Sequence, residues 1–234
     1  MADAMLSAGN PQAPNTLYFS RRREVKGVFY REGALYCNIP NLGFPSSRFP
    51  FITVEEIRIR GVHNLENAMC ASLIALLSGQ PYGPVRDALK TFSGLEHRLE
   101  FVREVDGVQF INDSKATNVG AVEKSLEGLD HVLLIMGGRD KGGDFSALRD
   151  LVRRRVKRLI TIGEAKETIE GALQGSTEIQ RAGDLREAVA ISVRNSSAGD
   201  TVLLSPGCAS FDMFQDFEDR GRKFKEFVRQ LNDQ

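Results

Sequence analysis

Three short runs hold the residues whose types and spacing could do chemistry together. The first, Asn112-Asp113-Ser114-Lys115-Ala116-Thr117-Asn118, follows the apolar stretch Val108, Phe110 and Ile111 and gathers a carboxylate, an ammonium, hydroxyls and amides. Such groups suit a charged, oxygen-rich ligand such as a phosphate or carboxylate, and they stand where open α/β sheets collect ligands, just past a strand. The same residue types also cap helices, with Thr117 or Asn118 as the cap of the helical pattern that follows. The second run, Gly137-Gly138-Arg139-Asp140-Lys141-Gly142-Gly143-Asp144, follows Val132–Met136. Glycines let backbone amides approach an anion, and the helix start beyond adds positive potential; a flexible turn is the alternative. It is not a Walker A loop, because no Lys-Ser/Thr pair follows its last glycine. The third run, Ser205-Pro206-Gly207-Cys208-Ala209-Ser210-Phe211-Asp212, follows Thr201–Leu204. Ser210 stands where a helix cap is expected, and the small residues before it leave room for a ligand. Cys208 has no evident partner among His63, His97 and His131, so a nucleophilic role is not favoured.

The elements that must position these runs are legible as a regular alternation. Strands are expected at Leu99–Val105, Val108–Asn112, Val132–Met136, Arg158–Ile162, Glu178–Arg181 and Thr201–Leu204, the first two joined by a tight turn at Asp106-Gly107. Helices are expected at Val119–Leu126, Phe145–Arg153, Glu164–Leu173, Leu185–Val193 and Phe211–Leu231. Apolar strands separated by amphipathic helices imply a mainly parallel sheet covered on both faces. Parallel strands end on one edge, so the three runs can converge there. Lys115, Lys141, Thr117 and Ser210 would then supply ammonium groups and hydroxyls matched to a small molecule with more than one carboxylate.

The first 94 residues read differently. Residues 1–15 form a loop or frayed helix, followed by strand-like pieces at Leu17–Phe19, Gly27–Tyr30 and Ala34–Asn38, the last two joined at Glu32-Gly33. Asn41–Phe51 is a Pro/Gly/Ser loop, and Ile57 and Ile59 alternate with Arg58 and Arg60 as in an edge strand. A helix opens at Gly61, with Leu65, Met69, Leu73, Leu76 and Leu77 on its apolar face, and stops at Ser78-Gly79; a weaker one covers Val85–Phe92. The pattern changes after Ser93-Gly94, which places a domain boundary between 94 and 95.

Composition narrows the function. With 31 Lys+Arg against 31 Asp+Glu, the 234-residue chain has no overall field to hold nucleic acid or an acidic membrane. The three cysteines fit neither a disulfide framework nor a zinc site, and the start lacks a signal-peptide pattern, which together point to a reducing cytoplasm.

Taken together, the runs Gly61–Ala71 (GVHNLENAMCA), Gly94–Val102 (GLEHRLEFV), Asn112–Asn118, Gly137–Phe145 (GGRDKGGDF) and Ser205–Phe224 (SPGCASFDMFQDFEDRGRKF) resemble the Mur ligases of peptidoglycan synthesis, on their D-glutamate-adding branch. The resemblance implies an α/β fold in which part of a central ATP-binding domain, residues 1–94, precedes a Rossmann-like amino-acid-binding domain, residues 95–234. It implies a two-step reaction in which ATP with Mg2+ phosphorylates a carboxylate of UDP-N-acetylmuramoyl-L-alanine and the amine of D-glutamate attacks the acyl phosphate. By position, Asn64, Asn67, Arg98 and Asp113 resemble nucleotide contacts, while Lys115, Thr117, Lys141, Ser210, Phe211 and Phe217 resemble the D-glutamate pocket, with Lys115 and Lys141 orienting the acceptor. No metal-binding residue of the family falls within the matched stretch.

The chain also departs from the family pattern. The amino-terminal UDP-sugar domain and the GTNGKT-type phosphate loop have no counterpart in these 234 residues. The expectation is a chain that lacks ligase activity alone, as a fragment or as one half of a split enzyme whose other half is separately encoded. A related ligase for another amino acid, of the folylpolyglutamate type, is the remaining alternative.

Overall fold

The computed structural model describes residues 16–39, 49–59 and 61–232. The expectations for residues 1–15, for most of the loop at 41–51 and for Arg60 lie outside them. The chain divides into two compact units, Met1–Ser93 and Gly94–Gln234.

In the first unit, β1 (Tyr18–Ser20) runs parallel to β2 (Gly27–Arg31), which forms a hairpin with β3 (Ala34–Asn38); β4 (Ile52–Thr53) closes the sheet. Glu32 and Gly33 both take positive φ, 47° and 81°, as a two-residue hairpin turn with the twist of its strands requires. Helices α1 (Val62–Leu77) and α2 (Tyr82–Thr91) cover the sheet, with Met69, Leu73, Leu76, Val85 and Leu89 packed on Val28, Leu35, Phe51 and Ile52. Leu77, expected on that apolar face, is instead 52% exposed. The edge strand expected at Ile57–Arg60 is absent among the described residues. Thr53 and Glu56 form a capping box that turns the chain into a 3-10 segment, and the Arg58 N–H donates to Leu89 O of α2 rather than to a strand.

The second unit is a six-stranded sheet in the order β5 (Glu100–Val105), β6 (Val108–Asn112), β10 (Thr201–Leu204), β7 (Val132–Gly137), β8 (Val156–Ile162), β9 (Glu178–Arg181). Only the β5–β6 pair is antiparallel, as its two-residue turn at Asp106-Gly107 demands; all other pairs are parallel. Alternate residues of each central strand face opposite sides. Leu134, Met136 and Leu203 pack with Val122, Leu126, Val152 and Ile169, while Leu133, Ile135 and Val202 pack with Leu185, Val189, Phe224 and Val228. The covering helices are α3 (Val119–Leu126), α4 (Arg149–Arg155), α5 (Lys166–Leu173), α6 (Leu185–Asn195) and α7 (Phe217–Arg229).

Three helix starts of the second unit differ from expectation, the helix expected from Glu164 beginning at Lys166. The segment Phe145–Leu148 is 3-10 and leads into α4, because the Asp144 carboxylate takes the Ser146 N–H and closes a tight turn. The last helix starts at Phe217, not Phe211. Asp216 is its cap, accepting the Asp219 N–H at 2.6 Å, so Ser210 is not a cap, and residues 211–216 are turns.

Candidate functional site

Because β6, β10 and β7 are parallel neighbours, their carboxyl ends share one edge, and the three polar runs leave the sheet side by side. Backbone hydrogen bonds then join the loops. Gly207 N–H donates to Ala116 O at 2.8 Å, Gly137 N–H to Pro206 O at 2.9 Å, and Arg139 and Ala209 exchange N–H···O bonds of 2.9 and 3.0 Å. This approach needs glycine at 138: a Cβ there would stand 2.1 Å from Ala209 O, and its φ of +130° disfavours any side chain.

Lys115 extends from the first loop into solvent, its ammonium 4.9 Å from the centroid of the Phe217 ring at the start of α7. That cation–π contact holds the charge without neutralising it. Lys141, on the second loop, is also exposed. Among the described residues neither ammonium has a carboxylate partner, whereas Lys157, Lys223 and Lys225 are all paired with acids. Thr117 is half-buried beside Lys115, Ser210 is buried at the root of the third loop, Phe211 is 64% exposed, and Phe217 is half-buried. Asn118, rather than Thr117, caps α3 by accepting the Ala121 N–H at 2.9 Å.

The glycine-rich loop does not offer the amides that its composition promises. The Asp140 carboxylate accepts the N–H groups of Gly142 and Gly143, each at 3.0 Å, so those donors close the turn that carries Lys141 instead of facing an anion. Lys141 is thereby the loop's contribution to the site. Its charge is felt in the neighbouring loop: burial, helped by Asp140, pushes the Cys208 thiol up to about 12, with Arg220 and Lys141 acting against that rise. A thiol so held is no nucleophile near neutral pH.

The four nucleotide candidates are placed apart in sequence and in unit. Asn64 and Asn67 lie on the first turns of α1, Asn67 exposed; Arg98 is exposed just ahead of β5. Asp113 is buried at the end of β6, and both of its oxygens are used internally. Ser125 and Ser205 donate their hydroxyls to Oδ2 at 2.5 and 2.9 Å, and the Leu99 N–H donates to Oδ1 at 3.2 Å. Burial raises its pKa above the ordinary carboxylate value, against the pull of those donors. Its geometry ties three segments together. Among the described residues no group of three or more His, Cys, Asp or Glu could hold a metal ion, and the sequence has no Lys-Ser/Thr phosphate loop.

Residues that the motifs did not single out support the site from below. His97, at a positive φ of 64°, is buried; its Nδ1 lies 2.9 Å from Asn112 Nδ2, its carbonyl accepts the Lys115 N–H at 2.9 Å, and its ring meets Phe217 edge-on. Burial lowers its pKa, so it is neutral near pH 7. Arg220 is wholly buried between the first and third loops. A signal was available: Arg220, Phe224 and Val228 are spaced by four, which puts a guanidinium on the apolar stripe of α7.

The fold is a mainly parallel sheet covered on both faces, with polar loops at the carboxyl ends of three neighbouring strands, and the chain belongs to the Mur ligase family: residues 97–208 match the family described as Mur ligase, glutamate ligase domain. Its relatives include the UDP-N-acetylmuramoylalanine–D-glutamate ligases of Geotalea daltonii, 47% identical over 91% of this chain and 46% of that protein, and Syntrophus aciditrophicus, 42% identical over 97% and 49%. The chain spans about half the length of the curated relatives it matches. The fold is shared with the UDP-N-acetylmuramate-alanine ligase of Thermotoga maritima, with a TM-score of 0.63 at 14% identity, covering 91% of this chain and 48% of that one. It is shared too with a folylpolyglutamate synthase of Mycobacterium tuberculosis, with a TM-score of 0.56 at 14% identity, covering 90% and 45%.

Proposed function

We propose that this chain is the carboxyl-terminal part of an ATP-dependent ligase that adds D-glutamate to UDP-N-acetylmuramoyl-L-alanine, and that its second unit is the D-glutamate acceptor site. The observation that carries this reading is the pair of ammonium groups, Lys115 and Lys141, without carboxylate partners among the described residues, on two loops that are both hydrogen-bonded to the Ser210 loop between them. A dicarboxylic amino acid offers anionic groups for both, and Thr117 and Ser210 add hydroxyl donors. Phe217 fixes Lys115 from one side, and Phe211 supplies an exposed apolar wall. Holding both carboxylates presents the amine in one orientation to an activated carboxyl group, and this positioning is the chain's contribution to the rate. In this reading Asn64, Asn67, Arg98 and Asp113 serve the nucleotide of the complete ligase, and Asp113 also supports the loops. The complete ligases of this kind use ATP and Mg2+, and in this reading their phosphate and metal seats belong to the part of the relatives' length that this chain does not span. Soluble reactants of this kind place the work in the cytoplasm, and no helix among the described residues is long and apolar enough to cross a membrane.

Titration calorimetry of the full chain with D-glutamate, L-glutamate and D-leucine tests the site. D-glutamate binds best, and Lys115→Ala or Lys141→Ala each weakens it about tenfold or more, since a charge-assisted hydrogen bond contributes roughly 1.5–3 kcal/mol. Equal binding of D-leucine, or affinity indifferent to both lysines, overturns the reading. Phosphate release from ATP with both substrates present stays at background for this chain alone; turnover would show that the phosphate seat lies within it.

A further inference from the structure

Arg220 is the largest fully buried side chain among the described residues, on a helix whose Phe224 and Val228 pack into the core on the sheet. Its Nε donates to Ser114 Oγ and its Nη2 to Ser114 O, both at 2.9 Å, while Nη1 and Nη2 donate to Cys208 O at 3.2 and 3.3 Å. The Ser114 hydroxyl in turn donates to Phe217 O at 2.8 Å. Ser114 immediately precedes Lys115, and Cys208 stands two residues before Ser210. One planar fork thus grips the backbones of the first and third loops at once and links both to the start of α7.

No carboxylate accepts from Arg220 among the described residues, and burial brings its pKa down to about 10. An unpaired buried cation costs stability, and an apolar side chain of the same length would fill the space at less cost. The helix makes room for the arrangement at Gly221, where a Cβ would stand 2.2 Å from His97 Nδ1. The position is spent on geometry.

We infer that Arg220 is a positioning residue for the acceptor site: its guanidinium sets the spacing between the loop that carries Lys115 and the loop that carries Ser210, and with it the fit to a dicarboxylic amino acid. The inference rests on the acceptor-site reading for its ligand and on the hydrogen bonds alone for the clamp. A lysine keeps the charge but cannot reach Ser114 and Cys208 together, whereas a methionine fills the volume without donating.

The test uses the full chain as wild type, Arg220→Lys, Arg220→Met and Arg220→Ala, with D-glutamate affinity, amide exchange at residues 113–117 and 207–211, and melting temperature read for each. Arg220→Met is expected to melt as high as wild type, to exchange faster in those two segments while strand β7 stays protected, and to bind D-glutamate about tenfold or more weakly, the scale on which small misplacements act. Arg220→Lys should fall short of wild-type affinity despite its charge, and millimolar guanidinium should restore affinity to Arg220→Ala. If an arginine variant does not fold, Ser114→Ala removes the hydroxyl and should loosen the first loop and Phe217 alone. Wild-type affinity in Arg220→Met with unchanged loop exchange overturns the clamp, as does full recovery by lysine. Loop loosening in Arg220→Met beside a wild type that fails to bind D-glutamate leaves the clamp standing and removes the acceptor reading.

Discussion

Asp113 shows how a polar side chain at a strand end can serve structure first. It accepts from two buried hydroxyls and one N–H, yet burial still raises its pKa above the ordinary carboxylate value of 3.8. The raised value has a sign. As pH rises past the unfolded pKa, the unfolded chain releases this proton before the folded one does, so the folded state binds more protons and stability falls across that interval. Asp113→Asn removes the titration, and the expected outcome is a melting temperature that gains on wild type as pH rises from about 4 towards 7, within the usual spread of carboxylate values. Melting curves across that range check it; a variant that loses ground to wild type as pH rises would show a carboxylate held in its charged form. Exposed pairs such as Arg139–Glu164, bidentate at 3.0 Å, carry little stability by comparison.

At the scale of elements, the site depends on where two helices begin. Asn118 starts α3 directly after the Lys115 loop, and Asp216 starts α7 directly before Phe217 and Arg220. Asp216→Ala removes the acceptor for the Asp219 N–H and should cost about 0.5–2 kcal/mol, read by denaturant unfolding of the chain. Gly138→Ala should cost more than the cap, because its Cβ has 2.1 Å to Ala209 O and the φ of +130° is closed to it. Its readout is the loss of the exchange protection that the Arg139–Ala209 pairing provides. Protection unchanged in that variant would mean that the two loops are held by other contacts.

At the scale of the whole molecule, the chain holds two units of unequal build. Among the described residues, Gly94–Gln234 has a six-stranded sheet with hydrophobic clusters on both faces, whereas Met1–Ser93 has a four-stranded sheet with a two-residue strand at one edge. Fewer buried side chains must offset the ordering of the first unit's backbone. Hydrogen exchange is expected to show β2 and β3 opening at lower free energy than β7 and β10, and unfolding to depart from a single two-state transition. Coincident protection of the two sheets would remove that distinction.

Sequence by itself determined what repeats locally. Period-2 and period-3.6 patterning marked the six strands and the covering helices of the second unit, and the ends of Val108–Asn112, Glu178–Arg181 and Thr201–Leu204 match to the residue, because strand faces and helix stripes are encoded by neighbours in the chain. Polar runs at strand ends identified the three loops for the same reason. Tertiary structure decided what depends on residues far apart. It placed β10 between β6 and β7, turned Asp140 onto the amides of its own loop, moved the start of α7 from Phe211 to Phe217, and drew Arg220 across about a hundred residues of chain to Ser114. No periodicity encodes which carbonyl a buried guanidinium will find, since that is set by the packing of helix on sheet.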